Sequence, residues 1–313
     1  MKKAFIIFLF ILTAKVYGQP DTVRVGAYVM SVHDINFHDK EYTARFWLWF
    51  VFKNPEFDFV KQLDITNAKS IDQPELLEDS LEGKKWSMLK MKSVMKENWN
   101  VQNFPFDKQH LKIQIENSLF DKKDLIFKPD LKGSKFDSDE TLAGWRIKNF
   151  KVDTASNFYE TGFGDNRPGK DNQNFSAFLI SMDIERNALG LFMKIFIGMY
   201  ISFLIAMLSF TIKPWELEPR FGLPVGGLFA AVGNKYIIDS ILPESSTFTL
   251  VDSLHSLTFF SIFMVLLISV ISLKIHEHGN TEKSIRMNKI GGWFLGISYL
   301  LINIVFVAIA VGG

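Results

Sequence analysis

Asn103-Phe104-Pro105-Phe106-Asp107-Lys108-Gln109 is the stretch on which the reading of this chain turns. Two aromatic rings flank a proline and one carboxylate follows. Four hydrophobic spans come later, and Met182-Asp183-Ile184-Glu185-Arg186 runs directly into the first of them. The order puts a cation at the point where the chain enters its first hydrophobic span.

Working outward from that loop, the chain divides by charge. Its 313 residues leave room for about two domains of ordinary size. Residues 189–313 hold only 15 of the 69 Asp, Glu, Lys and Arg side chains, so the first part reads as half-buried and water-facing and the second as membrane. A net charge of +1 gives no general pull toward nucleic acid, and none is expected as a partner. With no cysteine, thiol catalysis and Cys-based metal sites are excluded.

Upstream, Met1-Lys2-Lys3 and the apolar residues 4–12 lead to Val16-Tyr17-Gly18. A basic tip, a short apolar core and a small residue before Gln19 predict a secretory signal peptide over 1–18, too short to span. Residues 19–188 are then exported. Within them, residues 41–52 are rich in aromatic and β-branched side chains between turn formers, while 64–71, 111–115 and 175–184 alternate apolar and polar. Residues 125–127 and 145–150 add shorter strands, and 162–169 form a hairpin tip. Many short strands without a helical period predict a β-sandwich.

Downstream, spans are expected at about 189–212, 221–242, 250–273 and 290–311, each near the ~20 apolar residues a bilayer helix needs. Lys194 is the one charge of the first; Lys235 and Asp239 lie in the second; Asp252 and His255 are the titratable groups of the third. An exported start and four crossings put the C-terminus outside as well. The two loops left inside hold six Lys or Arg, and the outer loop and tail hold none, which is the positive-inside bias.

This ordered set resembles the pentameric ligand-gated ion channels, the Cys-loop or Pro-loop receptors, over nearly the whole chain from about Asp21. The resemblance carries Phe-Pro-Phe-Asp as the signature loop, Arg186 as the junction cation, and Leu242-Pro243 at the outer end of a pore helix. The two cysteines that close the loop in animal members correspond to Glu97 and Leu111, so the match is to the bacterial type, and packing of Phe104, Pro105 and Phe106 has to hold the loop. The implied fold is an extracytoplasmic all-β immunoglobulin-like sandwich on a four-helix transmembrane bundle, assembled as a homopentamer in a bacterial inner membrane with both termini periplasmic.

The implied function is a ligand- or proton-gated channel for monovalent cations, opened by an unidentified small molecule or by protons. The alternative is a non-conducting membrane receptor on the same scaffold. Gly222, Gly226, Phe229, Gly233, Tyr236 and Ser240 recur every 3.6 residues on average and share one helix face, the expected pore lining. Small residues that merely let membrane helices pack closely are the other reading of that face. Glu218 stands at the inner mouth as a ring that favours cations. Lys235 and Asp239, four apart, are expected to pair beside the pore face. Pro224 reads as a tolerated first-turn proline.

For coupling between domains the resemblance implies an Asp107–Arg186 pair, with Asp39 or Glu41 able to share the arginine, and Pro105 and Phe106 pressing on the loop that begins at Pro243. For ligand binding it implies aromatics between neighbouring subunits: Tyr159, Phe163 and Phe175 around a capping hairpin, Phe120 after the signature loop, and Trp47 or Trp49 from the neighbouring face, suited to a cation. The six histidines make a pH response plausible, yet none has metal-ligand spacing in the exported part. No nucleophile–base arrangement, phosphate loop or cofactor motif is found, and neither enzyme activity nor a cofactor is expected.

Overall fold

The computed structural model describes residues 19–137, 142, 144–165 and 171–312. The expected signal peptide, and residues 166–169 of the hairpin tip, lie outside the described residues.

Among the described residues, eleven strands form two sheets in the β-domain. The larger sheet is built on β1 (Asp21–Asn36), β2 (Glu41–Phe52) and β6 (Lys84–Lys96), paired antiparallel in the order β1-β2-β6. The outer edge of β6 is shared by β4 (Ala68–Ile71) and β5 (Glu75–Leu81). The edge of β1 takes β8 (Leu125–Pro129) and the short β9 (Lys135–Phe136), both parallel. The smaller sheet runs β10-β11-β7-β3, from β10 (Trp145–Tyr159), β11 (Gln173–Arg186), β7 (Lys108–Asn117) and β3 (Leu63–Ile65).

Alternation drives this arrangement. Phe46, Leu48 and Phe50 of β2 and Val23, Val25, Ala27 and Val29 of β1 are fully buried. Leu111, Ile113 and Ile115 of β7 and Phe178, Ile180 and Met182 of β11 belong to the same core, as expected when each strand shows one face inward. Gly26 is required where it stands. It pairs with Trp49, and a Cβ there would lie 2.4 Å from the indole ring.

The expected strand over 64–71 divides. Leu63–Ile65 joins the smaller sheet and Ala68–Ile71 the larger, so the chain changes sheets at Thr66-Asn67.

Four helices long and apolar enough to cross a membrane follow: α1 (Ala188–Met207), extended by a 3-10 turn (Leu208–Thr211), α2 (Leu217–Asp239), α3 (Leu250–Glu277) and α4 (Thr281–Gly312). A Thr249–Asp252 capping box starts α3, satisfying amides that the first turn leaves free. Stacking of Phe203 on Tyr299, 3.8 Å between ring centres, holds α4 to α1, and the Tyr299 hydroxyl lies 2.9 Å from Thr258 Oγ1 of α3. Helix α2 begins at Leu217, four residues before the expected span. Pro224 therefore sits in the third turn rather than the first, and it removes the amide that the Arg220 carbonyl would accept.

Candidate functional site

The joint between the domains is built around Arg186, the last residue of β11. Its Nε–H donates to Asp107 Oδ1 at 2.8 Å and its Nη2 to Oδ2 at 3.3 Å, a two-pronged contact. Asp107 is 1% exposed and the arginine 12%. Three rings face the guanidinium: Trp145 at 4.0 Å, Phe37 at 4.8 Å and Phe104 at 5.0 Å from the ring centres. Each ring face attracts a cation, and together they shield the pair from water.

The carboxylate is further fixed by Gln109, whose Nε2–H donates to Asp107 Oδ2 at 2.7 Å. The same side chain closes the loop. Gln109 Nε2 also donates to the Asn100 carbonyl at 2.8 Å, and Gln109 Oε1 accepts from the Asn100 amide at 3.0 Å. This amide clasp spans the base of the loop, and Phe104 is buried beside Phe37. Packing of Phe104 was expected to hold the loop; the clasp was not.

Asp39 and Glu41 do not share Arg186. Asp39 accepts from Asn36 Nδ2 at 2.7 Å, and Glu41 pairs with Lys69 at 2.7 Å. What the turn at 36–41 gives the arginine is the Phe37 ring, fixed by stacking 4.7 Å from Trp99. The turn's carboxylates bond locally because water-facing partners cost them no desolvation.

Below the joint, two contacts tie the loop to the helices. The Phe106 ring lies 5.4 Å from Phe192 of α1, and the Gln102 carbonyl accepts from the Leu250 amide at 2.8 Å. These two contacts reach α1 and the first residue of α3, beside the loop that begins at Pro243, on which Pro105 and Phe106 were expected to press. Between Arg186 and the outer ends of α1 and α2 lies a cavity of about 650 Å³, lined among others by Phe37, Trp145, Ile195 and Ser240.

Helix α2 shows two faces. Arg220, Pro224, Gly227, Ala231 and Ile238 are buried against the other helices. Gly222, Gly226, Phe229, Gly233 and Tyr236 lie on the opposite side and are exposed in the single chain, as are Glu218 below them and Ser240, which caps the helix. Phe229 and Tyr236 are 72% and 76% exposed. Added Cβ atoms at Gly222, Gly226 and Gly233 would meet nothing within 4 Å. Lys235 is turned off this face. Its Nζ bonds both oxygens of Asp239, at 2.9 and 2.8 Å, and Asp252 Oδ1 of α3 at 2.8 Å.

The expected ligand aromatics separate. Tyr159 meets Phe163 and Phe175 edge-on, at 5.5 and 5.8 Å between ring centres. Phe120 is turned away from them, edge-on to Phe57 at 4.9 Å, because its amide is drawn in by Asn117 Oδ1 at 2.8 Å. Trp47 points outward from β2 between the buried Phe46 and Leu48, beside Arg45, Glu75 and Lys90 on the outer face of the larger sheet. Trp49, also outward, donates its indole N–H to Asp130 at 3.3 Å. The Tyr159 cluster stands on the outer face of the smaller sheet, so Trp47 and Tyr159 face opposite ways in one chain.

Beneath Tyr159 lies a group the sequence did not single out. Glu116 is buried, and accepts from the Tyr159 hydroxyl at 3.2 Å, from Gln114 at 3.3 Å and from the Asn157 amide. Burial pushes its carboxyl above the usual range. Burial first, and then the Glu116 charge, push the Tyr159 hydroxyl up to about 12. Three aromatic rings, whose faces attract a cation, and a buried carboxylate form an environment that favours cations. Among the described residues, no group of three or more His, Cys, Asp or Glu is placed to hold a metal.

No protein-family model matches the chain, and no curated protein is significantly similar to it.

Proposed function

We propose that this chain is a subunit of a homopentameric, extracytoplasmically gated cation channel in which α2 lines the axis. The observation that carries the proposal is the two-sidedness of α2. One face is packed against the chain's own helices, while the other, glycine-bearing face has no partner among the described residues. Closed rings of identical subunits bring such faces together around an axis. Glycines there leave width and exposed backbone, Phe229 and Tyr236 form constricting rings, and Glu218 supplies an acidic ring at the end away from the β-domain.

The joint supplies coupling. The Arg186 cage makes the end of β11, the Asn103–Gln109 loop and the start of α1 one mechanical unit, while the Gln102–Leu250 contact carries the loop's position to α3. Movement of the Tyr159 hairpin is transmitted along β10 and β11, paired from Trp145–Arg186 to Tyr159–Gln173 with one register shift between Ile147 and Asn149. A cationic small molecule held at Tyr159, Phe163, Phe175 and Glu116, with Trp47 of the next subunit opposite, is the agonist class that the side chains favour.

A second reading, a receptor that senses without conducting, is favoured by the two bulky rings that Phe229 and Tyr236 would form. Single-channel recording of the purified protein in planar bilayers tests both. Unitary cation currents support the channel, and their absence across a panel of amines and a pH range, in particles shown to be pentameric, leaves the receptor.

A further inference from the structure

At the end of the helical domain away from the β-domain, three cations gather without an anion. Arg220 is fully buried. Its Nη1 donates to the carbonyls of Ile212 and Ser209, at 2.9 and 3.4 Å, and its Nη2 to Asn288 Oδ1, while its Nε has no partner. A guanidinium stays charged, and a buried charge facing only neutral dipoles is costly. Asn288 and its neighbour Lys289, with Lys213 after the 3-10 turn, line a groove of about 720 Å³ between the ends of α1 and α4. Among the described residues none of these three cations has a carboxylate within ion-pair reach. The helical domain's ion pairs, Lys235 with Asp239 and with Asp252, lie at its other end.

Away from the lysines the groove is apolar, walled by Met207, Phe210, Trp293, Ile297 and Leu300. Gly292 lets α4 approach the 3-10 turn, since a Cβ there would stand 3.1 Å from the Phe210 ring. Trp293 is 68% exposed, as a side chain at a membrane–water boundary can be. The size is that of a small-molecule site.

We propose that this groove binds one anionic glycerophospholipid of the leaflet opposite the β-domain. Its phosphate sits between Lys213 and Lys289, in the field of Arg220, and one acyl chain lies along Ile297 and Leu300. Charge complementarity selects the occupant: a zwitterionic lipid fills the slot but brings a cation of its own beside its phosphate, so it adds no net negative charge, and free phosphate compensates the cations and leaves the slot empty. The site requires that the four helices cross a bilayer and does not require that the protein conduct. Failure of the channel reading therefore leaves it standing, and the reverse.

The test is native mass spectrometry of the full-length protein, delipidated in neutral detergent and titrated with dioleoylphosphatidylglycerol, dioleoylphosphatidylcholine or inorganic phosphate. Each lysine near an anionic headgroup is worth about 1 kcal/mol, or about fivefold in affinity, so Lys213→Gln with Lys289→Gln is expected to weaken phosphatidylglycerol binding about thirtyfold and phosphatidylcholine binding little. Both lysines are exposed, so the double variant is expected to fold. Gly296→Leu, which fills the slot and keeps the lysines, is expected to weaken both lipids and leave any phosphate adduct unchanged. Equal binding of the two lipids, loss of phosphatidylglycerol to an equal concentration of inorganic phosphate, or full phosphatidylglycerol preference in the double-lysine variant would each overturn the proposal.

Discussion

Replacing Asp107 by asparagine keeps the shape of the loop and removes the charge that faces Arg186. Breaking one side of a buried pair costs about 3–5 kcal/mol, because the remaining charge loses its partner without regaining water. Here the lower end applies. Arg186 keeps three ring faces within 5.0 Å, and an asparagine oxygen still accepts from its Nε. The new amide also turns a donor toward Gln109, which now donates to Asp107 Oδ2. A loss of about 3 kcal/mol in a β-domain of this size lowers its unfolding temperature by about 6–12 °C. Tryptophan fluorescence reports it locally, since Trp99 and Trp145 both stack on Phe37 in the same cluster. The companion variant is Asp107→Asn with Arg186→Met, which removes both charges and keeps apolar bulk among the rings; it is expected to recover at least half of the loss. Exchanging the two charges is the weaker test, because a carboxylate at 186 would face the negative faces of three rings. A single-variant shift below about 2 °C, or a double variant no more stable than the single, would refute the claim that this pair is a desolvated joint.

Three further outcomes are expected. Glu218→Gln lowers the preference for Na⁺ over Cl⁻ in reversal-potential measurements, and an unchanged reversal potential removes Glu218 from the ion path. Lys235→Gln leaves that potential unchanged, because the ammonium is held between Asp239 and Asp252 rather than on the glycine face, but lowers the yield of assembled particles in size-exclusion chromatography; a changed potential with normal assembly would place Lys235 in the lumen. For Glu116 the folded carboxyl is raised, so its contribution to stability is fully present below the ordinary range near about 4.3 and is lost as pH rises through the folded value. Glu116→Gln is accordingly expected to flatten the pH dependence of unfolding above that range, and an identical pH profile in the two proteins rules out that titration.

The two-sheet domain and the four helices were legible because both rest on periodicity and composition. Strands β2, β7 and β11 announce themselves by alternation of large apolar residues. Strand β6 is harder to see, because two of its inward positions are Ser87 and Ser93 and its outward ones are mostly lysine. All of β5 is exposed, so no burial signal marks it. The start of α2 was misplaced because its first turn carries Glu218, Pro219 and Arg220, which lower an apolar count while being compatible with a helix. At the joint, the pairing of Asp107 with Arg186 came from resemblance. The Phe37–Trp145 cage could not, because it joins a turn and a strand far apart in the chain, and the Gln109 clasp, though it spans only nine residues, leaves no periodic mark in the sequence. Glu116 was hidden for a related reason: its partner Tyr159 is brought over it only by the pairing of β7, β11 and β10.

The outward placement of Trp47 on one sheet and of Tyr159 on the other has a genetic consequence. In the proposed ring, each recognition site would be assembled from two half-sites donated by different chains. On that proposal a chain defective only at Trp47 and a chain defective only at Tyr159 are each expected to be inactive alone, and their co-expression to restore intact interfaces wherever the healthy halves adjoin. Two chains defective in the same half never complement. Such a mixing experiment shows whether the proposed site is shared between neighbouring chains without any image of it.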